Sequence, residues 1–537
     1  MIRPAVVALL GATAIATANA SAAAAPARRD VIASELALAG ADAPIVVRAD
    51  ASGVHDLIAA LRARVPALLR GPLDDALASL AQQLGGDPFA PAGWTALGFD
   101  PSRPMVVAIG RTTGPDVLAF AGERDPLVPG GAPPSPTKPT TATLAVEVRV
   151  VIPIGDAAIA TRTGARLASM LREASIASAD ATIDASSRTL VLAISDTRDD
   201  RAKARLAPRA PASARLRDPT AAALTNAAPI AVHVEPLRLA ETMFWRRARG
   251  GIPAAPTHEI FVTLRDLARP IAPMIAGPIG HAGAAIEIHG DAIHADLTVA
   301  IAPRSPLAIT LARTVDSALP RAADTPDAAL HLHSYLADVA ALSELPSAGM
   351  TFDLPPEPFF PYGGLSPLIE IVSAPYALGA AVTHVAHAEP AARPMLAGIR
   401  DAALVIDTVG TDFASSRATL EVAVTRDAST ALQPLLSTIW GTPATAAFTS
   451  WGQGPIRPFA RTLGATTTVG VAIRDSAASY LQHTRTSPAP PRGTVLELHA
   501  TAAALALVHP IASLAGTLDA TARWDGRALH IDATIAP

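Results

Sequence analysis

Fourteen histidines in a chain without cysteine make imidazole the first chemistry to weigh. His331 and His333 stand two apart in an alternating Leu-His-Leu-His run, which puts both on one face of a strand. His384 and His387 stand three apart, a spacing that shares a helix face. Together the four imidazoles suffice for zinc or copper. No carboxylate or third ligand stands at a telling spacing, however. These histidines, together with Arg48, His233 and His499, therefore read first as polar positions on solvated faces, and no metal or other cofactor is called for.

Nucleophile motifs are equally thin. Ser135-Pro136-Thr137-Lys138 has the Ser-x-x-Lys spacing that places a lysine one helical turn from a nucleophile, but Pro136 and Pro139 deny that helix. There is no Gly-x-Ser-x-Gly elbow, His258-Glu259 lacks the second histidine of a zinc-protease helix, and no phosphate-binding loop or dinucleotide fingerprint occurs. No catalytic residue is assigned from sequence.

Two aromatic segments are candidates for contact with a partner. Phe244 and Trp245 adjoin Arg246, Arg247 and Arg249, a mixture that suits an anionic membrane surface or a hydrophobic groove; inward packing at a helix end is the plainer reading. Phe359, Phe360 and Tyr362 lie among Pro355, Pro356, Pro358 and Pro361, which exclude a helix or a central strand. That loop reads as a plug over a core, with an exposed recognition lip as the alternative.

The elements that must position these residues show a recurring pattern. Ile45–Ala49, Ile230–Val234, Leu330–Ser334 and Leu496–Ala500 each begin with aliphatic residues at positions one and three and carry Arg or His at position four. Period-two alternation makes each a strand with the basic residue on the face opposite the aliphatic ones. A helical segment follows, as at Val54, Leu57, Ile58 and Leu61, with Ser52 or Asp50 as its cap. Hairpins are expected around Asp525-Gly526, His289-Gly290-Asp291, Ser186-Ser187 and Ser415-Ser416. The expected fold is α+β, with repeated strand-helix-strand-strand units forming antiparallel sheets that carry helices on one face.

Breaks in composition divide the chain into a signal peptide (1–25), a first unit (26–195) holding a Pro-rich linker (123–141), a linker (196–219), a second unit (220–305), a third (320–430), and a helical segment with a final unit (431–537). Arg3, the apolar run 5–16 and Ala18-Asn19-Ala20 match an export signal cleaved before Ser21 or within the following alanines. Without cysteine there is neither a lipid anchor nor a disulfide. Apolar residues make up 50% of the chain, so burial alone can supply its cores, and a net charge of -4 argues against nucleic acid as a partner. The stretch 500–518 lacks charge but is broken by His509-Pro510, so it reads as a buried helix, and no segment of the mature chain is expected to span a membrane. The expectation is an exported periplasmic or extracellular protein that binds a lipid or protein partner without turning it over. A hydrolase lacking familiar motifs is the alternative.

Overall fold

The computed structural model describes residues 25–65, 67–112, 146–173, 178–195, 198, 212–235, 279–344, 392–410, 415–430, 449–450, 456–463, 466–474, 480, 482–508 and 516–537. These form two compact units that part between Ile288 and His289. None of the described helices is long and apolar enough to cross a membrane.

In the first unit the order is α1 (Ala25–Ala39), β1 (Ile45–Ala49), α2 (Ala51–Arg64), α3 (Ala67–Leu84), α4 (Pro91–Ala96), β2 (Met105–Thr112), β3 (Val146–Pro153), α5 (Ala157–Glu173), β4 (Ser178–Asp184), β5 (Thr189–Ser195), α6 (Ala212–Arg215), β6 (Ile230–Val234) and β7 (Ile279–His289). The strands form one antiparallel sheet in the order β7–β6–β1–β2–β3–β5–β4. The expectation of helices on one face fails here, because β1 is buried along its whole length and helical side chains pack on both faces of the sheet. Ile32 and Leu36 of α1 cover Val46, Val106 and Val151, while Leu84, Trp94, Leu97 and Ala160 cover Ile152 from the other side. Part of the expected linker is also structured: Ala212 and Leu216 join the core under α1.

The second unit runs β8 (Ala292–Ile301), α7 (Pro306–Leu311), β9 (Leu330–Ser334), α8 (Ala392–Ala397), β10 (Ile399–Thr408), β11 (Arg417–Val424), β12 (Thr449–Ser450), β13 (Ile456–Leu463), β14 (Thr466–Ile473), β15 (Thr494–Ala500), α9 (Ala502–Val508), β16 (Thr517–Trp524) and β17 (Ala528–Ala536). Its antiparallel order is β8–β17–β16–β15–β9–β10–β11–β14–β13–β12. The hairpins at Ser186-Ser187 and Asp525-Gly526 form as expected, with Gly526 at φ +100 in its turn.

Among the described residues a strand, helical segment and two strands follow one another at β1–β3, β9–β11 and β15–β17, but a fourfold repeat of that unit is not established. The four matching strands pair two and two, β1 with β6 and β9 with β15, each pair within its own unit. Outward from those pairs the register is the same. The row Val232, Val47, Val107, Val150, Leu192 and Ala181 of the first sheet corresponds step for step to Leu498, Leu332, Leu404, Leu420, Val471 and Pro458 of the second. The covered faces differ. In the first sheet this aliphatic row lies under helices, whereas in the second Leu420 is 44% exposed and the opposite, polar face is the buried one.

Candidate functional site

The solvated-face reading of the basic positions is overturned: Arg48, His233, His331 and His333 have no accessible surface, and His499 is half-buried. Alternation reports which residues share a face, not which face the rest of the chain covers. Each buried group survives through a partner. Arg48 donates to the carbonyl of Ala228 and faces Asp50 at 3.4 Å. The Nδ1 of His331 lies 2.7 Å from the Thr325 hydroxyl, and burial pushes its imidazole down to about 3. His333 stacks on Tyr335, with centroids 4.2 Å apart, and reaches Asp401 Oδ2 at 3.3 Å. His384, His387, Phe244, Trp245, Arg246, Arg247, Phe359, Phe360 and Tyr362 lie outside the described residues.

Ser317, Asp401 and His333 bring together the groups of a hydrolytic triad, but in the wrong order. A nucleophile needs imidazole between itself and the carboxylate. Here the Ser317 hydroxyl donates directly to Asp401 Oδ2, the same oxygen that faces His333, and Ser317 Oγ also accepts from the Leu319 amide at 2.9 Å. The neighbouring carboxylate is likewise committed. Glu497 accepts from the Tyr335 hydroxyl at 2.7 Å and from Arg321 Nε at 3.0 Å. Farther along the same face Glu421 takes Arg461 Nε at 2.7 Å and Nη2 at 2.6 Å. This is a hydrogen-bonded polar core that holds strands together.

Among the described residues one three-membered cluster has the composition of a metal site: Asp218, His233 and His281 in the first unit. Sequence reading singled out only His233 of these. Its hydrogen bonds decide against a metal. Arg215 Nε–H donates to His233 Nδ1 at 2.8 Å, so the neutral ring carries its proton on Nε2, 3.0 Å from the Thr220 hydroxyl. The Thr220 hydroxyl in turn donates a hydrogen bond to Asp218 Oδ1 at 2.6 Å, and Asp218 Oδ2 pairs with His281. A metal on Nε2 would require the ring's proton to sit on Nδ1, where the guanidinium already donates. Burial first, and then Arg215, push the His233 imidazole down to about 3. Burial acts upward on Asp218, yet the Thr220 hydrogen bonds hold its carboxyl below the usual range.

The remaining feature is an apolar cavity of ≈ 170 Å³ inside the first unit. Its floor is the aliphatic row of the sheet, Val47, Val107 and Val150, joined by Ile152. The roof comes from α2, which buries Val54 and Leu57 on one stripe, from Leu84 at the end of α3, and from Leu167 of α5. Asp50 sits at the N-cap of α2 but makes no side-chain capping bond. Asp156 does cap α5, accepting from the amides of Ala158 and Ile159 at 2.9 and 3.0 Å. An aromatic wall closes one side: Phe89, Trp94 and Phe99, the last two edge to face at 6.1 Å. Gly98, at φ +83, lets that wall meet the start of α5, since a Cβ there would lie 2.5 Å from the Ala160 nitrogen. Trp94 Nε1 donates to the Pro88 carbonyl at 2.8 Å, so the one strong donor in the wall is already spent.

No family model matches this chain, and no curated protein or solved structure is detectably similar to it. Sequence reading missed the cavity, although three aromatics within residues 89–99 of a chain only 4% aromatic were a signal for it.

Proposed function

We propose that this chain is an exported, non-catalytic binding protein of the cell envelope that holds a hydrophobic ligand in its first unit. The observation that carries the reading is the cavity between sheet and helices, lined throughout by apolar side chains. Its walls belong to elements fixed by tertiary packing and hydrogen bonds, so the space is pre-formed. The carboxylates of the polar clusters are each held by hydroxyls or guanidinium groups of the same cluster, which suits scaffolding better than turnover. Export rests on Arg3, the apolar run and Ala18-Asn19-Ala20.

Native mass spectrometry of the protein taken from its own envelope tests both parts. The mature N-terminus is expected between Ser21 and Ala27, with an apolar molecule retained on the folded chain. An intact Met1 would remove the export reading. A ligand-free chain that turned over an ester, peptide or glycoside would replace binding with hydrolysis.

A further inference from the structure

Building on that binding reading, we infer that the cavity takes a bare hydrocarbon group of about benzene's size and rejects any group that needs a hydrogen bond. Volume sets the first limit. Whole drug-sized ligands occupy pockets of roughly 300–1,000 Å³, whereas an apolar cavity of about 150 Å³ stays dry and binds benzene or xenon. At ≈ 170 Å³ this cavity belongs with the second class. It has room for a small arene or the end of an alkyl chain, and a polar head on the same molecule must remain outside.

Chemistry sets the second limit. Every lining side chain is aliphatic or aromatic, or is proline or Met105. The indole N–H of Trp94 is bound to Pro88 and unavailable to a guest. A hydroxyl brought into this space gives up its bonds to water and recovers none, so it must bind more weakly than the hydrocarbon it replaces. Shape adds a preference. The edge-to-face pair Trp94 and Phe99 presents ring surface to the space, and the half-buried Met105 and Leu167 can adjust their rotamers around a planar or a linear guest.

The experiment uses the full-length mature chain and three probes: benzene, phenol and laurate. Tryptophan fluorescence and thermal shift report binding, and the Trp94→Phe variant identifies the fluorescence arising at the site. Benzene is expected to bind at least about tenfold more tightly than phenol, the loss due to one unpaired hydroxyl. Val107→Phe, whose ring fills the floor, should abolish benzene binding. Should that variant unfold, Val54→Phe fills the roof instead. Laurate displacing benzene would identify the guest as a chain end, and laurate without effect would identify it as a small free hydrocarbon. Equal affinity for benzene and phenol, or benzene binding that survives both filling variants, overturns the inference. If benzene fails while a lipid is found on the native protein, the binding reading stands and this one falls.

Discussion

Acid should loosen the second unit well before the first, because their buried titratable groups oppose one another in the first unit only. In the second unit His331 has no accessible surface, and burial, aided by His333, holds its imidazole at about 3 against 6.5 for the free side chain. Glu497 and Asp324 oppose that shift without reversing it. Between the two values the unfolded chain binds a proton that the folded chain refuses. Stability is therefore complete above 6.5 and falls as pH falls, by about 1.4 kcal/mol per unit. From pH 6.5 to 4.5 the loss is about 2 kcal/mol, or roughly fiftyfold in the opening equilibrium. His233 imposes the same slope on the first unit. There, however, burial pushes the Glu35 carboxyl up to about 7 from 4.5, despite Arg103 at 2.8 Å. A folded chain that keeps this proton gains stability as pH falls from 7 to 4.5, so the two slopes cancel over that window. Hydrogen exchange at pH 6.5 and 4.5, corrected for intrinsic rates, reads both units in one sample. Protection in β9 and β15 should drop about fiftyfold while β1 and β6 change by less than a few-fold. His331→Gln should remove most of the drop. Equal losses in the two units, or an undiminished drop in that variant, would refute the reasoning.

Two further outcomes follow from the first unit. Arg215→Met strips His233 Nδ1 and the carbonyls of Ala41 and Ala43 of a buried donor and removes the ion pair with Glu235, 3.4 Å away; urea unfolding should show a loss of about 3–5 kcal/mol. Gly283→Ala puts a Cβ 1.7 Å from the Thr220 carbonyl oxygen, forcing β7 away from the Asp218–Thr220 turn; differential scanning calorimetry should register a loss of about 1–3 kcal/mol, and an unchanged melting temperature would show that the two backbones separate freely.

The short strands were legible in the sequence because alternation is local: Ile45–Ala49, Ile230–Val234, Leu330–Ser334 and Leu496–Ala500 all form where the pattern sets them. Their pairing was not. The partner of β1 lies beyond two hairpins and five helices in the chain, and nothing within five residues encodes a partner that remote. Burial was misread for a related reason. Leucine-rich alternation in β9 implied covered leucines and solvated histidines, yet His331 and His333 are enclosed while Leu332 is half-buried, because Thr325, Asp401 and Tyr335 supply partners from outside the strand. The metal-like cluster and the cavity draw on residues scattered along the first unit, so their composition was readable and their convergence was not.

The shared register of the two sheets has a consequence for how the chain must fold. Central strands with the same five-residue register give β1 two eligible mates, β6 and β15, and the exchanged pairing would set Arg48 directly opposite Glu497, an attraction rather than a clash. Side-chain chemistry at that position does not guard against the swap. Order of emergence does: β6 ends at Val234, and the second unit's central strands begin only at Leu330. A chain that folds as it emerges can close its first pair before the rival strand exists, while a chain refolding from denaturant meets both mates at once.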